Sequence, residues 1–158
     1  MWTEVAVDDV LGAEKCMEVM AHMDHIYDQL SVEWLRSLIA IRRSKVFLFE
    51  RQLDRVVMVF QFNPKLGLYR IYTGGMSSSL SAADASELAV EKILAFMQDE
   101  DLEMIYAIRR RGLDYGPINQ VFELVRVHPS LSVTVIHDMN DRDAWHIKTS
   151  KATVPANT

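Results

Sequence analysis

The chain has 158 residues, 49% of them apolar and 25% charged, with a formal charge of -5 at pH 7. That is the size of one domain with a full hydrophobic core, and the negative charge excludes non-specific binding to nucleic acid or to an anionic membrane. The lone Cys16 excludes an internal disulfide, no apolar run is long enough to span a bilayer, and the opening Met1-Trp2-Thr3-Glu4 is unlike a signal peptide, so a cytoplasmic location is expected.

Residues 2–7 alternate and predict a strand ending at Asp8-Asp9. Over 10–30, Cys16, Met20, Met23, Tyr27 and Leu30 recur in steps of four and three, which predicts a helix with that apolar face. Ser31 predicts the N-cap of a second helix running to about residue 43. The period then switches to two. Residues 45–51 and 55–62 predict a hairpin around Gln52-Leu53-Asp54, and 68–73 a third strand. Ser81 and Asp84 form a capping pair for a helix to about residue 98. Residues 102–108 read as a buried strand that ends at Arg109-Arg110-Arg111-Gly112. Gly116-Pro117 opens a further helix, which Pro129 stops. A last hairpin pairs 131–137 with 144–149, and the polar stretch 151–158 reads as a tail beyond a single domain over 1–150. The order β-α-α-β-β-β-α-β-α-β-β predicts an α/β (α+β) fold with a mixed, mostly antiparallel sheet.

That order, from the helix pair through the three-strand meander, the turn into a helix, and the final strand, helix and hairpin, resembles the GNAT superfamily of N-acyltransferases. The resemblance implies a sheet that splays between its fourth and fifth strands, helices on both faces, and acyl-CoA in the gap with its pyrophosphate at the start of the third helix. A helix N-terminus suits that ligand, because its amides are free and its potential positive. On this resemblance acetyl-CoA is the implied cofactor. Thr73, Gly74, Gly75, Ser77, Ser78, Ser79 and Asn119 are the implied cofactor-binding residues.

The family's signature at the turn is Gln or Arg, two residues, Gly, one residue, then Gly or Ala. Here Arg70 stands four before Gly74, and Met76-Ser77-Ser78-Ser79-Leu80-Ser81 holds no glycine. Glycine matters there because a Cβ blocks close approach of backbone to phosphate. Serine hydroxyls are the available substitutes, and Asp84 in the first turn repels a phosphate. The family's tyrosine general acid is missing from the helix after Ile118, leaving Tyr106 and Tyr115 as candidates. Glu103, with Glu50 and Glu123, is a candidate general base for an amine.

Other constellations have plainer readings. His22, His25 and Asp28 lie on the polar face of the first helix; a solvated surface is expected there, and no metal. Arg109-Arg110-Arg111 reads as solvated charge at a strand end, or as a seat for the outlying phosphate of CoA or an acidic partner. Cys16 lies on the apolar stripe and reads as a buried, inert thiol. A second functional reading follows from the turn that lacks glycine: a non-catalytic structural or interaction subunit on the same fold. In size and turn the chain is similar to degenerate acetyltransferase-like proteins of tailed bacteriophages, which implies a virion location, a partner on the tail or a homo-oligomer.

Overall fold

The computed structural model describes residues 1–20, 31–40, 43–112, 116–137 and 140–150. In chain order its elements are β1 (Trp2–Glu4), α1 (Val10–Met20), α2 (Val32–Ala40), β2 (Lys45–Arg51), β3 (Asp54–Asn63), β4 (Leu68–Met76), α3 (Ala82–Asp99), β5 (Ile105–Arg110), α4 (Ile118–Arg126), β6 (Leu131–His137) and β7 (Arg142–Thr149). The element order is the one read from the sequence. No helix among the described residues is long and apolar enough to cross a membrane. The tail at 151–158 and the His22, His25 and Asp28 group lie outside the described residues.

The strands form one sheet in the order β1-β2-β3-β4-β5-β7-β6. Both faces are covered, and the alternation of the strands shows why. Val46 and Leu48 of β2 and Val57 and Val59 of β3 point to one face, where they pack with Ala13, Cys16 and Met20 of α1 and Leu35 and Leu38 of α2. Phe47, Phe49, Val56, Met58 and Phe60 point to the other face, against α3 and α4. A strand buried on both sides reads as a nearly continuous apolar run, as VVMVF does in β3. Phe96 of α3 centres the second core. Its ring stacks on Phe60 at 4.0 Å and meets Tyr69 edge-on at 4.9 Å.

Each of the first three helices begins with a side chain that accepts the amide three residues on. Asp9 Oδ1 accepts from Gly12 at 2.8 Å, Ser31 Oγ from Trp34 at 3.0 Å, and Ser81 Oγ from Asp84 at 3.1 Å. Such caps contribute about 1 kcal/mol each.

Several boundaries differ from the sequence reading: β1 ends at Glu4, β5 runs on to Arg110, and β7 begins at Arg142. β5 begins at Ile105 and not at 102. β4 continues to Met76, so Gly74 and Gly75 belong to the strand and not to the turn. The cause is a long-range contact. Gly75 pairs with Val57 of β3, and a Cβ on it would lie 2.7 Å from the carbonyl oxygen of Val19 in α1. The glycine lets α1 sit directly on the strand.

Adding a methyl at this point forces backbone apart, because the obstruction is a helix carbonyl and not a flexible side chain. Gly75→Ala is expected to lose about 1–3 kcal/mol of stability, as overpacked sites do. Urea unfolding of the purified variant checks this, with an unchanged midpoint counting against the contact. The corollary is that Gly75→Val reports on folding before it reports on any ligand.

Cys16 lies on the inner face of α1, fully inside the core. Burial pushes its thiol up to about 12, and the charges of Asp9 and Glu50 add to the shift. This supports the inert reading, because the thiolate is the reactive form. The thiol starts near 9.0 in the unfolded chain. Between those values the unfolded chain loses its proton while the native one keeps it, so stability falls as pH rises through that window. Urea midpoints measured across that window should fall less steeply in Cys16→Ala than in the parent chain. Parallel slopes would show that Cys16 is not the titrating group.

Candidate functional site

The site is created by one interruption in the sheet. β4 and β5 are neighbours but run parallel, and among the described residues they register at Arg70 with Tyr106. Along β3 and β4 the register shifts between Val57 and Val59, where β4 carries one extra residue between Tyr72 and Gly75. A bulge of this kind bends its strand and increases the local twist. Toward the C-terminal ends of the two strands no further pair registers among the described residues.

The gap holds an apolar cleft of about 70 Å³. Its floor is Met58, Ile71 and Gly75 on one side and Ala107, Trp145 and Ile147 on the other; Ala85, Ala89 and Ile93 of α3 and Val121 and Phe122 of α4 form its walls. None of the lining residues is titratable. Met76 also lines a wider groove of about 750 Å³, bounded by Glu18 of α1, the β2–β3 hairpin, Ser77, Ser78 and Leu80 of the turn, and Pro117 before α4. Cleft and groove therefore adjoin at the start of α3.

The turn is tied to the β2–β3 hairpin. Ser77 donates its amide to the Arg55 carbonyl at 2.9 Å, and its hydroxyl accepts the Arg55 amide at 2.8 Å. The Ser79 hydroxyl donates to Asp54 Oδ1 at 2.7 Å. Two of the three serines expected to replace glycine are thus used in bracing the turn, and Ser78 is exposed beside the groove. What the turn offers an anion is backbone. Helix geometry leaves the amides of Ala82 and Ala83 without acceptors inside α3, and the macrodipole adds positive potential. Glu18 and Asp84 work against this. The one cation lining the groove among the described residues, Arg55, is held by Glu18 at 2.8 Å and Glu50 at 3.3 Å.

The remaining sequence candidates are spread out. Thr73 and Gly74 lie in β4 at the bulge. Tyr106 is buried, and its hydroxyl accepts from Asn63 Nδ2 at 3.0 Å. Asn63 ends β3 beside the start of β4, which places that hydroxyl at the end of the sheet away from the turn. Glu103 is exposed just before β5, in a groove with Ser132 and Lys148 at the same far end. Tyr115 lies outside the described residues. Asn119 stands on α4 in a shallow groove shared with Ala82 and Ala83, and its Oδ1 accepts from Arg109 Nη2 at 3.1 Å. The structure therefore brings Gly75, Ser77 and Ser78 to the cleft and its mouth, and leaves Tyr106 and Glu103 at the opposite end.

Arg109 is the residue that the sequence reading undervalued. Its guanidinium lies 4.5 Å from the Phe122 ring and 5.3 Å from the Trp145 ring, and both rings line the cleft. It also reaches Glu123 Oε1 at 3.4 Å. Parity could have found it, since Ile105, Ala107 and Arg109 share one face of β5. Arg111, by contrast, pairs with Asp143 at 2.7 Å on the exposed surface. Asp143 is partly desolvated, which raises its pKa, but its bonds to His137 and Arg111 outweigh this and hold the carboxyl below its usual range. No group of three metal-ligating side chains comes together among the described residues.

No family model and no curated protein matches the sequence. Solved structures do match the fold. The aminoglycoside 6'-N-acetyltransferase from Enterococcus faecium superposes with a TM-score of 0.61 at 13% identity, over 94% of this chain and 96% of its own. An acetyltransferase of the GNAT family from Listeria monocytogenes 4b F2365 gives 0.61 at 12% identity, over 92% of each chain. An aminoglycoside 6'-N-acetyltransferase complexed with coenzyme A gives 0.58 at 10% identity, over 94% of this chain and 96% of its own. Identity at this level carries the architecture and nothing finer. With its parallel β4–β5 junction, its bulge and its helices on both faces, the chain has the GNAT fold of the N-acetyltransferases.

Proposed function

We propose that this protein binds an acyl-CoA in the β4–β5 cleft and transfers the acyl group to an amine. The observation that carries the reading is the cleft itself. An apolar slot opens at the parallel junction, and the groove that shares Met76 with it is lined by Ser77, Ser78 and Leu80 of the turn into α3, so an apolar wall and a helix N-terminus stand close together. The neighbours of known structure are N-acetyltransferases, one of them complexed with coenzyme A.

The residues present fit such a ligand in kind. Met58, Ile71, Ala107 and Trp145 would flank its apolar arm and keep water from it. The amides of Ala82 and Ala83 would take the pyrophosphate. An acyl-CoA supplies an acyl group already activated as a thioester. The chain's part is to align it with the amine and exclude water, which are positioning effects. Because the Ser77 and Ser79 hydroxyls are engaged and acids stand nearby, the seat relies mainly on backbone donors and is expected to hold CoA at micromolar strength.

Calorimetric titration with acetyl-CoA, with desulfo-CoA as the control, tests this. Heat at micromolar ligand is expected for both; no heat at millimolar ligand removes the cofactor from the reading. Ala107→Leu separates the cleft from the fold. Its added methyl groups fill the slot, so the affinity for acetyl-CoA is expected to fall at least about tenfold, or about 1.4 kcal/mol. The unfolding midpoint should hold or rise, because an apolar void is being filled. Equal affinity in the two proteins would place any bound CoA elsewhere.

A further inference from the structure

The cleft is narrower than its proposed occupant. Small-molecule sites begin at roughly 300 Å³, and this slot has about 70 Å³. One wall must move for an acyl-CoA arm to pass. The contacts of Arg109 identify which wall. From β5 this side chain holds three residues of α4 together: Phe122 under its guanidinium at 4.5 Å, Asn119 Oδ1 at 3.1 Å and Glu123 Oε1 at 3.4 Å. On its other side it rests against Trp145 of β7 at 5.3 Å. Glu123 is itself set by Arg126, whose Nη2 donates to Oε2 at 2.9 Å. The guanidinium is largely shielded, with 19% of the side chain exposed.

We propose that Arg109 is a positioning residue that clamps α4 to the sheet and so sets the width of the cleft. A planar guanidinium suits this role. It stacks on aromatic faces and donates in its own plane at the same time, which a lysine ammonium does not do. The other end of α4 is fastened separately. His128 takes the Ser130 amide at Nδ1, 3.1 Å away, and turns its Nε2 to Glu87 of α3 at 3.1 Å. The N-terminal end follows Gly116, whose φ of 66° is open to few other residues. Release of Arg109 therefore frees the end of α4 nearest the groove, while the His128 end stays on α3. The purpose given to the clamp rests on reading the cleft as the cofactor's seat; the clamp itself does not.

Hydrogen exchange on the full-length chain, without ligand, tests the clamp. In Arg109→Met the amides of α4 are expected to exchange about tenfold faster while those of α3 keep their parent rates. Arg109→Lys retains the charge without the planar fork, so it should show the same selectivity with a smaller increase. If the methionine variant does not fold, the lysine variant makes the comparison alone. Equal acceleration of both helices would reveal ordinary loss of core packing and overturn the proposal, as would unchanged exchange of α4. Stopped-flow binding of coenzyme A then addresses the purpose. Association should speed up several-fold in Arg109→Met, and an unchanged rate would detach the clamp from ligand access. A parent chain that binds no coenzyme A would defeat the cofactor reading and leave the exchange result to decide the clamp.

Discussion

In a sheet whose other pairings are antiparallel, β4 and β5 run the same way, registered among the described residues at Arg70 with Tyr106. Parallel neighbours cannot be joined by a hairpin and need a crossover. Here the crossover is α3, whose start therefore has to stand beside the C-terminal end of β4. The same junction leaves backbone and apolar side chains facing a gap that no strand fills. Cleft, turn and helix N-terminus are three consequences of that one topological constraint, and the β4 bulge adds a local bend to the strand beside it.

The turn at the mouth is built from interactions that hold it, more than from groups that await a ligand. Ser77 and Ser79 bind the β2–β3 hairpin through Arg55 and Asp54, and Ser81 caps α3. A glycine-rich turn reaches a phosphate by bringing bare backbone close; this turn gains rigidity from side-chain bonds and keeps the helix's own amides as its donors. Charge nearby is balanced in the same manner. Arg55 is shared between Glu18 and Glu50, and Lys15 also reaches Glu50 at 3.3 Å. Exposed pairs of this kind contribute little stability and are screened by salt, so the groove presents a mixed surface with no strong field of either sign.

Across the cleft the walls are held differently. α3 is fastened by aromatic packing around Phe96 and by a continuous buried face. α4 buries Ile118, Val121 and Val125 in the same core, packs Phe122 against it, and adds the polar and stacking contacts of Arg109, with His128 just beyond its end.

Much of this architecture is legible in the residues. Caps at Ser31 and Ser81, period-two runs in β2 and β3, and the stop at Pro129 are local signals, set by bonding and sterics within a few positions, and they determine the element order and the two-sided core. The true end of β4 was not legible, because Gly74-Gly75 followed by serines has the composition of a turn. The pairing with Val57 of β3 makes Gly75 a strand residue, and the Val19 carbonyl, more than fifty residues away in the chain, requires it to be glycine. Arg109 looked like solvated charge for a similar reason: its stacking partners Phe122 and Trp145 come from two later elements. The sequence by itself determined the elements, their order and the faces they bury, since these follow from short-range periodicity and capping. Tertiary structure alone decided that the serines brace a hairpin, that Tyr106 and Glu103 lie at the far end of the sheet, and that an arginine packs beneath a helix, because each depends on contacts between segments distant in sequence.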